Sequence, residues 1–168
     1  WLGGSDEDWG RAHVEGGDVQ PIGNGTVMIG MGERTTAQAV QIIARELFRK
    51  GSATQVLAVS LLKSRSYMHL DTVITMCDRD LVTLFPKVIG GARTWSLRPG
   101  DRPDELVIEQ FDGTLVEAMS KALGVTDMRL PIQYAFSYPA RWPAPAAPLD
   151  IARLGAIEFA PPDVARFP

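Results

Sequence analysis

The sequence predicts a mixed α/β fold built from β-β-α-β modules, and three observations support this class. A turn sequence, Gly23-Asn24-Gly25, separates two strand-like apolar segments. Two capping boxes, Thr35-x-x-Gln38 and Thr114-x-x-Glu117, each open an amphipathic helical stripe. The order strand, strand, helix, strand then occurs twice along the chain, which indicates an internal structural repeat.

The first module spans residues 14–62. Its predicted elements are a strand ending near Pro21, a return strand over 26–31, a helix from Thr35 to Gly51 and a strand over 54–62. The Gly-Asn-Gly turn supplies the positive φ angles that a tight hairpin needs. The glycine at 51 is typical of a helix end, and the final strand is apolar enough to be buried.

The second module follows the same order with an insertion. Its predicted elements are a strand over 70–77, a turn at 78–80, a strand over 81–85, a helix from Thr114 to Gly124 and a short strand over 128–130. Two further strands, near 94–97 and 106–110, belong to the insertion. Strand-like composition between turn residues is the basis for these assignments.

The composition changes after Pro131. More than half of the 12 prolines lie in residues 132–168, and no lysine does. Proline-rich sequence favours extended or irregular chain. We therefore expect a folded domain over 1–131 and an irregular tail over 132–168.

Charge and cysteine usage narrow the class of protein. The net charge of -3 argues against a general nucleic-acid or anionic-membrane surface. No apolar run approaches the roughly 20 residues of a membrane span, and the sequence shows no export signal. The single cysteine excludes an internal disulfide and fits a reducing compartment. We expect a cytoplasmic protein with no nucleic-acid or membrane partner.

The pair His69-x-Asp71 is the first candidate for chemistry. On a strand these two side chains point to the same face. An imidazole can transfer protons near neutral pH, and the carboxylate can hold a cation. The simpler alternative is a hydrogen-bonded histidine at a strand start, with the aspartate serving a turn.

The segment Glu15-Gly16-Gly17-Asp18 is the second candidate. Its diglycine lets the backbone pack close to a ligand while carboxylates flank it. An ordinary loop before a strand is the alternative. A metal site is also compatible with the sequence, because two imidazoles and two carboxylates are typical metal ligands. That set would be His13, Glu15, His69 and Asp71.

Arg34 and Cys77 complete the candidate residues. Arg34 lies just before a predicted helix start, where the helix dipole disfavours a cation, so a ligand-facing role is predicted beside the alternative of a solvated arginine. Eight residues of extended strand would place Cys77 about 26 Å from His69. That distance far exceeds hydrogen-bond reach, so Cys77 is predicted to be a passive, buried thiol rather than a nucleophile.

Four runs of the sequence closely resemble arginine deiminases. They are Val14-Glu15-Gly16-Gly17-Asp18, Ile29-Gly30-Met31-Gly32-Glu33-Arg34-Thr35, Ser64-Arg65 and Met68-His69-Leu70-Asp71-Thr72. The resemblance covers about residues 1–131. It implies a pentein-type α/β propeller, in which β-β-α-β modules surround a central site. About two such modules are present here, so the propeller would be incomplete.

The resemblance also implies a reaction and a role for each residue. The family hydrolyses L-arginine to L-citrulline and ammonia through a Cys-thiouronium intermediate, without a metal or other cofactor. His69 would be the general acid/base, and Glu15 the acid that pairs with it. The substrate-binding residues would be Asp71 on the guanidinium, Arg34 on the α-carboxylate and Asp18 as a supporting residue.

Two parts of the family pattern have no counterpart in this sequence. The family's nucleophilic cysteine lies in a glycine-rich loop near its C-terminus, and further substrate-binding residues lie upstream. We therefore expect a partial chain that is inactive alone and whose open blade edges favour association. A homo-oligomer is compatible with the full-length family member. A non-catalytic fragment or binding subunit, and a metal-dependent enzyme, are the alternatives.

Overall fold

A mixed α/β architecture is present in the computed structural model, which describes residues 8–65 and 67–130. The elements in chain order are β1 (Val19–Gly23), β2 (Thr26–Met31), α1 (Ala37–Arg49), β3 (Gln55–Ser60), β4 (Ile74–Met76), β5 (Val82–Leu84), α2 (Pro86–Ile89), β6 (Thr94–Pro99), β7 (Leu106–Gln110) and α3 (Leu115–Leu123). Two single 3-10 turns precede β1 and β4, at Gly16–Asp18 and Leu70–Thr72. The tail predicted over 132–168 lies outside the described residues.

The first predicted module is confirmed. β1 and β2 form an antiparallel hairpin, and α1 crosses over to place β3 parallel to β2. Asn24 and Gly25 have φ angles of 48° and 66°, as a tight hairpin turn requires. Gly51 has φ of 65° and follows the end of α1.

The capping residue of α1 was predicted one position too early. Thr36 caps the helix, and its hydroxyl accepts a hydrogen bond from the Ala39 N–H at 3.3 Å. Thr35 is fully buried instead, and its hydroxyl donates to the Asp18 carboxylate at 2.6 Å. A hydrogen bond to a buried carboxylate is stronger than an exposed cap, so the neighbouring threonine takes the capping role.

The strand predicted over 70–77 is also wrong in part. Leu70–Thr72 is a 3-10 turn, and only Ile74–Met76 is extended. Local hydrogen bonds explain the turn: Thr72 Oγ1 donates to the His69 carbonyl at 2.6 Å, and Thr75 Oγ1 donates to the Asp71 carbonyl at 2.9 Å. Such bonds to carbonyls three or four residues back compete with a strand ladder.

The two insertion strands were predicted correctly, but they do not belong to the second module. β6 pairs antiparallel with β3, and β7 pairs antiparallel with β6. The main sheet therefore has the order β1-β2-β3-β6-β7, while β4 and β5 form a separate two-stranded sheet. The short strand predicted over 128–130 is reduced to one parallel bridge between Arg129 and Leu81.

Apolar side chains cover both faces of the main sheet. α1 covers one face, where Val40 and Ala44 pack against Ile29, Val56 and Leu97. α3 and the small sheet cover the other face with a second cluster, which includes Met28, Leu57, Val59, Leu115 and Met119. Complete burial of one such large side chain contributes roughly 1.5–3 kcal/mol. The core therefore holds the loops that precede β1 and β4 in place.

The capping box of α3 is confirmed. Thr114 Oγ1 accepts from the Glu117 N–H at 3.2 Å, and Glu117 Oε2 accepts from the Thr114 N–H at 2.7 Å. The hydrogen bonds from Thr114 lower the pKa of Glu117. Gly124, at φ of 69°, follows the last helical residue.

None of the helices in the described part of the chain has the length and apolar character that crossing a membrane requires.

The ion pair between Asp80 and Arg129 is expected to make a pH-dependent contribution to stability. Arg129 Nε and Nη2 donate to the two Asp80 carboxylate oxygens at 2.9 and 2.6 Å, and these bonds lower the pKa of Asp80. A carboxyl with a lowered folded pKa adds stability above its unfolded pKa, and that contribution is lost as the pH falls through the folded pKa.

We expect Asp80→Asn to lower the thermal midpoint at neutral pH. The difference from wild type should shrink as the pH falls below about 4, where an unpaired aspartate becomes protonated. Thermal melts of both proteins at pH 7 and pH 3 measure this difference. An equal difference at the two pH values would contradict the assignment.

Candidate active site

The two 3-10 turns lie against each other beside the end of β2. The first turn carries the Glu15-to-Asp18 segment, and the second follows directly after His69. Residues 54 positions apart in the sequence thereby face one another. The site is thus built by the loops that enter β1 and β4, not by side chains along a strand.

Glu15 connects two of the predicted site residues. Its Oε2 is hydrogen-bonded to His69 Nε2, and Arg34 Nε lies 3.6 Å from the same oxygen. The side chains of His69 and Arg34 are 22% and 28% exposed, so both are partly shielded from water. One carboxylate therefore holds an imidazole and a guanidinium in fixed positions.

Asp71 lies near the second ring nitrogen of His69. Its Oδ1 lies 4.0 Å from His69 Nδ1, which is ion-pair distance but too long for a hydrogen bond. The Asp71 side chain is half exposed. The imidazole accordingly lies between two carboxylates, and the one on Asp71 is open to a ligand.

Asp18 has a different environment from the other two acids. It is 1% exposed, and both its oxygens bond to the protein. Oδ2 accepts from Thr35 Oγ1 at 2.6 Å, and Oδ1 accepts from the Leu70 N–H at 2.9 Å. Asp18 therefore ties the two turns together. This position suits the supporting role that was expected of it, and burial keeps its carboxylate out of reach of a substrate.

Thr35 is the site residue that the sequence analysis missed. Its hydroxyl donates to Asp18 and also accepts from the Glu15 N–H at 3.2 Å. It therefore positions both acids of the first turn. Its place directly after Arg34, in a run shared with arginine deiminases, was the available signal.

Two glycines allow this close packing. A Cβ on Gly17 would lie 2.7 Å from Asp71 Oδ2 and 2.9 Å from His69 Cβ. A Cβ on Gly30 would lie 2.6 Å from Asp18 Oδ1. Real Cβ contacts are longer than this, so a side chain at either position would force the neighbouring groups to move.

The charged cluster comprises Glu15, Asp18, Arg34, His69 and Asp71. His13 lies beside it and is hydrogen-bonded to the backbone at Arg34. Its Nδ1 is hydrogen-bonded to the Arg34 carbonyl at 2.9 Å, and its own carbonyl accepts from the Thr36 N–H at 3.0 Å. The alternative of a metal site with His13, Glu15, His69 and Asp71 is not supported. Within residues 8–65 and 67–130, no group of three or more His, Cys, Asp or Glu side chains is placed to hold a metal ion.

Cys77 was predicted to be buried, and this is wrong. The thiol is exposed, because β4 ends at Met76 and Cys77 lies in the turn towards β5. Its Sγ contacts the Thr75 carbonyl at 3.9 Å and Thr83 Oγ1 at 4.0 Å. It is the single cysteine of the sequence, and it is separated from His69 by a 3-10 turn and all of β4.

Two cavities in the described residues are lined by side chains outside the charged cluster. One, of about 270 Å³, is next to it and is lined by Trp9, Ala12, His13, Val14, Ala39, Ile42 and Ile43. The other, of about 570 Å³, lies on the sheet between β7 and α3. The cluster itself is a partly exposed surface, whose three carboxylates and one guanidinium leave a negative formal charge whether or not His69 is protonated. A cationic ligand suits this charge.

Comparison with protein families assigns most of the chain. Residues 123–168 match the model of the DXP reductoisomerase C-terminal domain, a likeness of that segment, most of which lies outside the described residues. Residues 1–138 of the 168 match the arginine deiminase model, including every residue of the cluster. The chain therefore belongs to the arginine deiminase family.

Proposed function

We propose that the cluster around Glu15 is the proton-transfer and substrate-binding part of a site that hydrolyses L-arginine to L-citrulline and ammonia. The observation that carries this proposal is the shared Glu15 oxygen, which brings His69 and Arg34 together from distant segments. One site then contains a general acid/base, His69, and carboxylates that can bind a guanidinium. It also contains a cation, Arg34, that can bind a carboxylate. The single cysteine fits the cytoplasmic location expected for such a protein.

Substrate binding would replace the ion pair between Arg34 and Glu15 with two ion pairs between the substrate and the protein. Without substrate, Arg34 and Glu15 partly neutralise each other at 3.6 Å. The substrate guanidinium would lie against the carboxylates of Asp71 and Glu15, and its α-carboxylate would pair with Arg34. Planar guanidinium and carboxylate groups form paired hydrogen bonds, which orient the guanidinium carbon for attack.

The reaction needs a thiolate that the described cluster does not contain. The thiolate adds to the guanidinium carbon, the C–N bond breaks, and ammonia leaves with a proton delivered by His69. Water then adds to the thiouronium carbon and gives a proton to His69, after which the C–S bond breaks and releases citrulline. Cys77 is not assigned as this nucleophile, because its Sγ contacts the Thr75 carbonyl and Thr83 Oγ1 in the β4–β5 turn and not the cluster.

Arginine binding to the full chain is the first test. Titration calorimetry should show tighter binding of L-arginine than of agmatine, which lacks the α-carboxylate. Arg34→Gln should weaken arginine binding about tenfold or more, equivalent to roughly 1.4 kcal/mol, and leave agmatine binding unchanged. Arg49→Gln is the matched control, because Arg49 pairs with Glu46 on the surface of α1. Equal losses in both variants would contradict the role of Arg34.

Turnover of the purified chain is the second test. Loss of a catalytic nucleophile lowers kcat by roughly a million-fold in a well-studied protease, so no citrulline release is expected. Citrulline formation that disappears in His69→Ala would overturn this expectation. Its additional loss in Cys77→Ser would identify Cys77 as the nucleophile after all.

A non-catalytic binding subunit is the second candidate function. It is favoured by the partners of Cys77, because the thiol contacts Thr75 and Thr83 while the binding groups are assembled around Glu15. Arginine binding without turnover, unchanged in Cys77→Ser, would fit both the binding subunit and the proposed partial active site. Citrulline release after addition of a partner chain that supplies a reactive cysteine would favour the partial active site.

A further inference from the structure

The two outer strands of the main sheet differ in how they are protected. β1 contains Pro21 and a register irregularity between Pro21 and Gly23, both of which hinder pairing with another strand. β7 pairs with β6 in an unbroken register and contains neither proline nor lysine. In the described part of the chain β7 is therefore the open edge of the sheet.

The hydrogen bonds at both ends of β7 define which of its residues face outward. The Phe111 N–H donates to the Thr94 carbonyl at 2.8 Å, and the Gly100 N–H donates to the Glu105 carbonyl at 2.9 Å. Both pairs continue the β6–β7 register, so hydrogen-bonded pairs alternate with non-bonded pairs between them. Pro99, which has no N–H, falls in a non-bonded pair, as this alternation requires.

It follows that the backbone groups of Val107 and Glu109 bond to β6. Those of Leu106, Ile108 and Gln110 point away from the sheet, giving a row of outward N–H and C=O groups. Val107 and Ile108 are also among the exposed large apolar side chains, at 42% and 46%. The edge thus combines free backbone groups with apolar surface, the features of a strand that pairs with another chain.

We propose that β7 pairs antiparallel with β7 of a second copy of this chain, about a two-fold axis at Ile108. In this register Ile108 lies opposite Ile108 of the second copy, and Leu106 lies opposite Gln110. All three outward residues of each strand then form hydrogen-bonded pairs. The two five-stranded sheets become one continuous sheet.

The side chains of β7 favour a copy of itself as the partner. Glu109 is the single charge in the strand, and the two-fold register places it opposite Val107 instead of another Glu109. The two exposed isoleucines face each other directly, and such cross-strand apolar pairs stabilise a sheet. A two-fold pairing uses the same patch on both copies and closes at a dimer. This proposal is independent of the arginine site.

Charged substitutions at Ile108 test the position of the proposed two-fold axis. The full 168-residue chain should sediment as a concentration-dependent dimer. Ile108→Lys and Ile108→Glu should each raise the dissociation constant about tenfold or more, because they place like charges opposite each other. An equimolar mixture of the two variants should recover a heterodimer, since lysine then faces glutamate.

Val107→Lys is the matched control on the same strand. It introduces the same charge one residue away, but the proposed register places it opposite Glu109, so the dimer should persist. If Val107→Lys dissociates the dimer and Ile108→Lys does not, the register is wrong. A wild-type chain that sediments as a monomer at every concentration would overturn the proposal.

Amide hydrogen exchange tests the edge without a variant. The amides of Leu106, Ile108 and Gln110 should become protected as protein concentration rises, while those of Val107 and Glu109 stay protected throughout. Protection of the first three at every concentration would mean that the chain itself covers the edge, and the proposal would fail. Ile108→Pro, which removes an outward N–H and no bond to β6, should abolish the concentration dependence.

Discussion

Asp18→Ala should lower the free energy of unfolding by about 3 kcal/mol. The carboxylate is fully buried and accepts hydrogen bonds from Thr35 Oγ1 and from the Leu70 N–H. Its removal leaves two buried donors without a partner, and each loss costs roughly 1–3 kcal/mol. Urea denaturation of both proteins, followed by circular dichroism, measures the difference.

Asp71→Ala is the control for this effect, because it removes the same group from the same site. The Asp71 side chain is half exposed, and within residues 8–65 and 67–130 its carboxylate accepts no hydrogen bond, so stability should change by less than about 0.5 kcal/mol. Arginine binding should be lost in Asp71→Ala even though the protein stays folded. Equal destabilisation by the two substitutions would contradict the distinction between a supporting and a ligand-facing aspartate.

Gly17→Ala should weaken arginine binding about tenfold or more while the protein stays folded. The added methyl group would lie 2.9 Å from both Cβ and Cγ of His69, and 2.7 Å from Asp71 Oδ2. The Asp71 carboxylate can rotate away, but the His69 Cβ is fixed to the backbone, so the turn itself must move. Small displacements of groups that orient a ligand have large effects on its interactions.

Gly16→Ala is the matched control for this prediction. A Cβ there has nothing within 4 Å, and its backbone does not adopt the left-handed conformation that favours glycine. Binding should be unchanged in Gly16→Ala. Calorimetric titration with arginine measures both variants, and the His69 ring signals in NMR spectra should shift only in Gly17→Ala. Equal binding by both alanine variants would show that the close contact at Gly17 has no role in the site.

The sequence predicts turns and helix ends correctly where the residues that determine them are close neighbours in the chain. The Asn24-Gly25 turn, the Gly51 and Gly124 helix ends and the Thr114 capping box all occur where they were expected. Each depends on backbone conformations or hydrogen bonds among near neighbours. The exact capping residue of α1 was not predictable, because the role of Thr35 depends on a carboxylate 17 residues away.

The sequence by itself determined the mixed α/β class, the order of most elements and the identity of the motif residues Glu15, Arg34, His69 and Asp71. It did not predict the short helix α2, and the strand it predicted over 128–130 is a single bridge. Only the tertiary structure decided which groups meet. It paired β6 with β3, exposed Cys77 and buried Asp18. The physical reason is that these outcomes depend on burial and on partners far along the chain. Local propensity and motif spacing do not specify either of them.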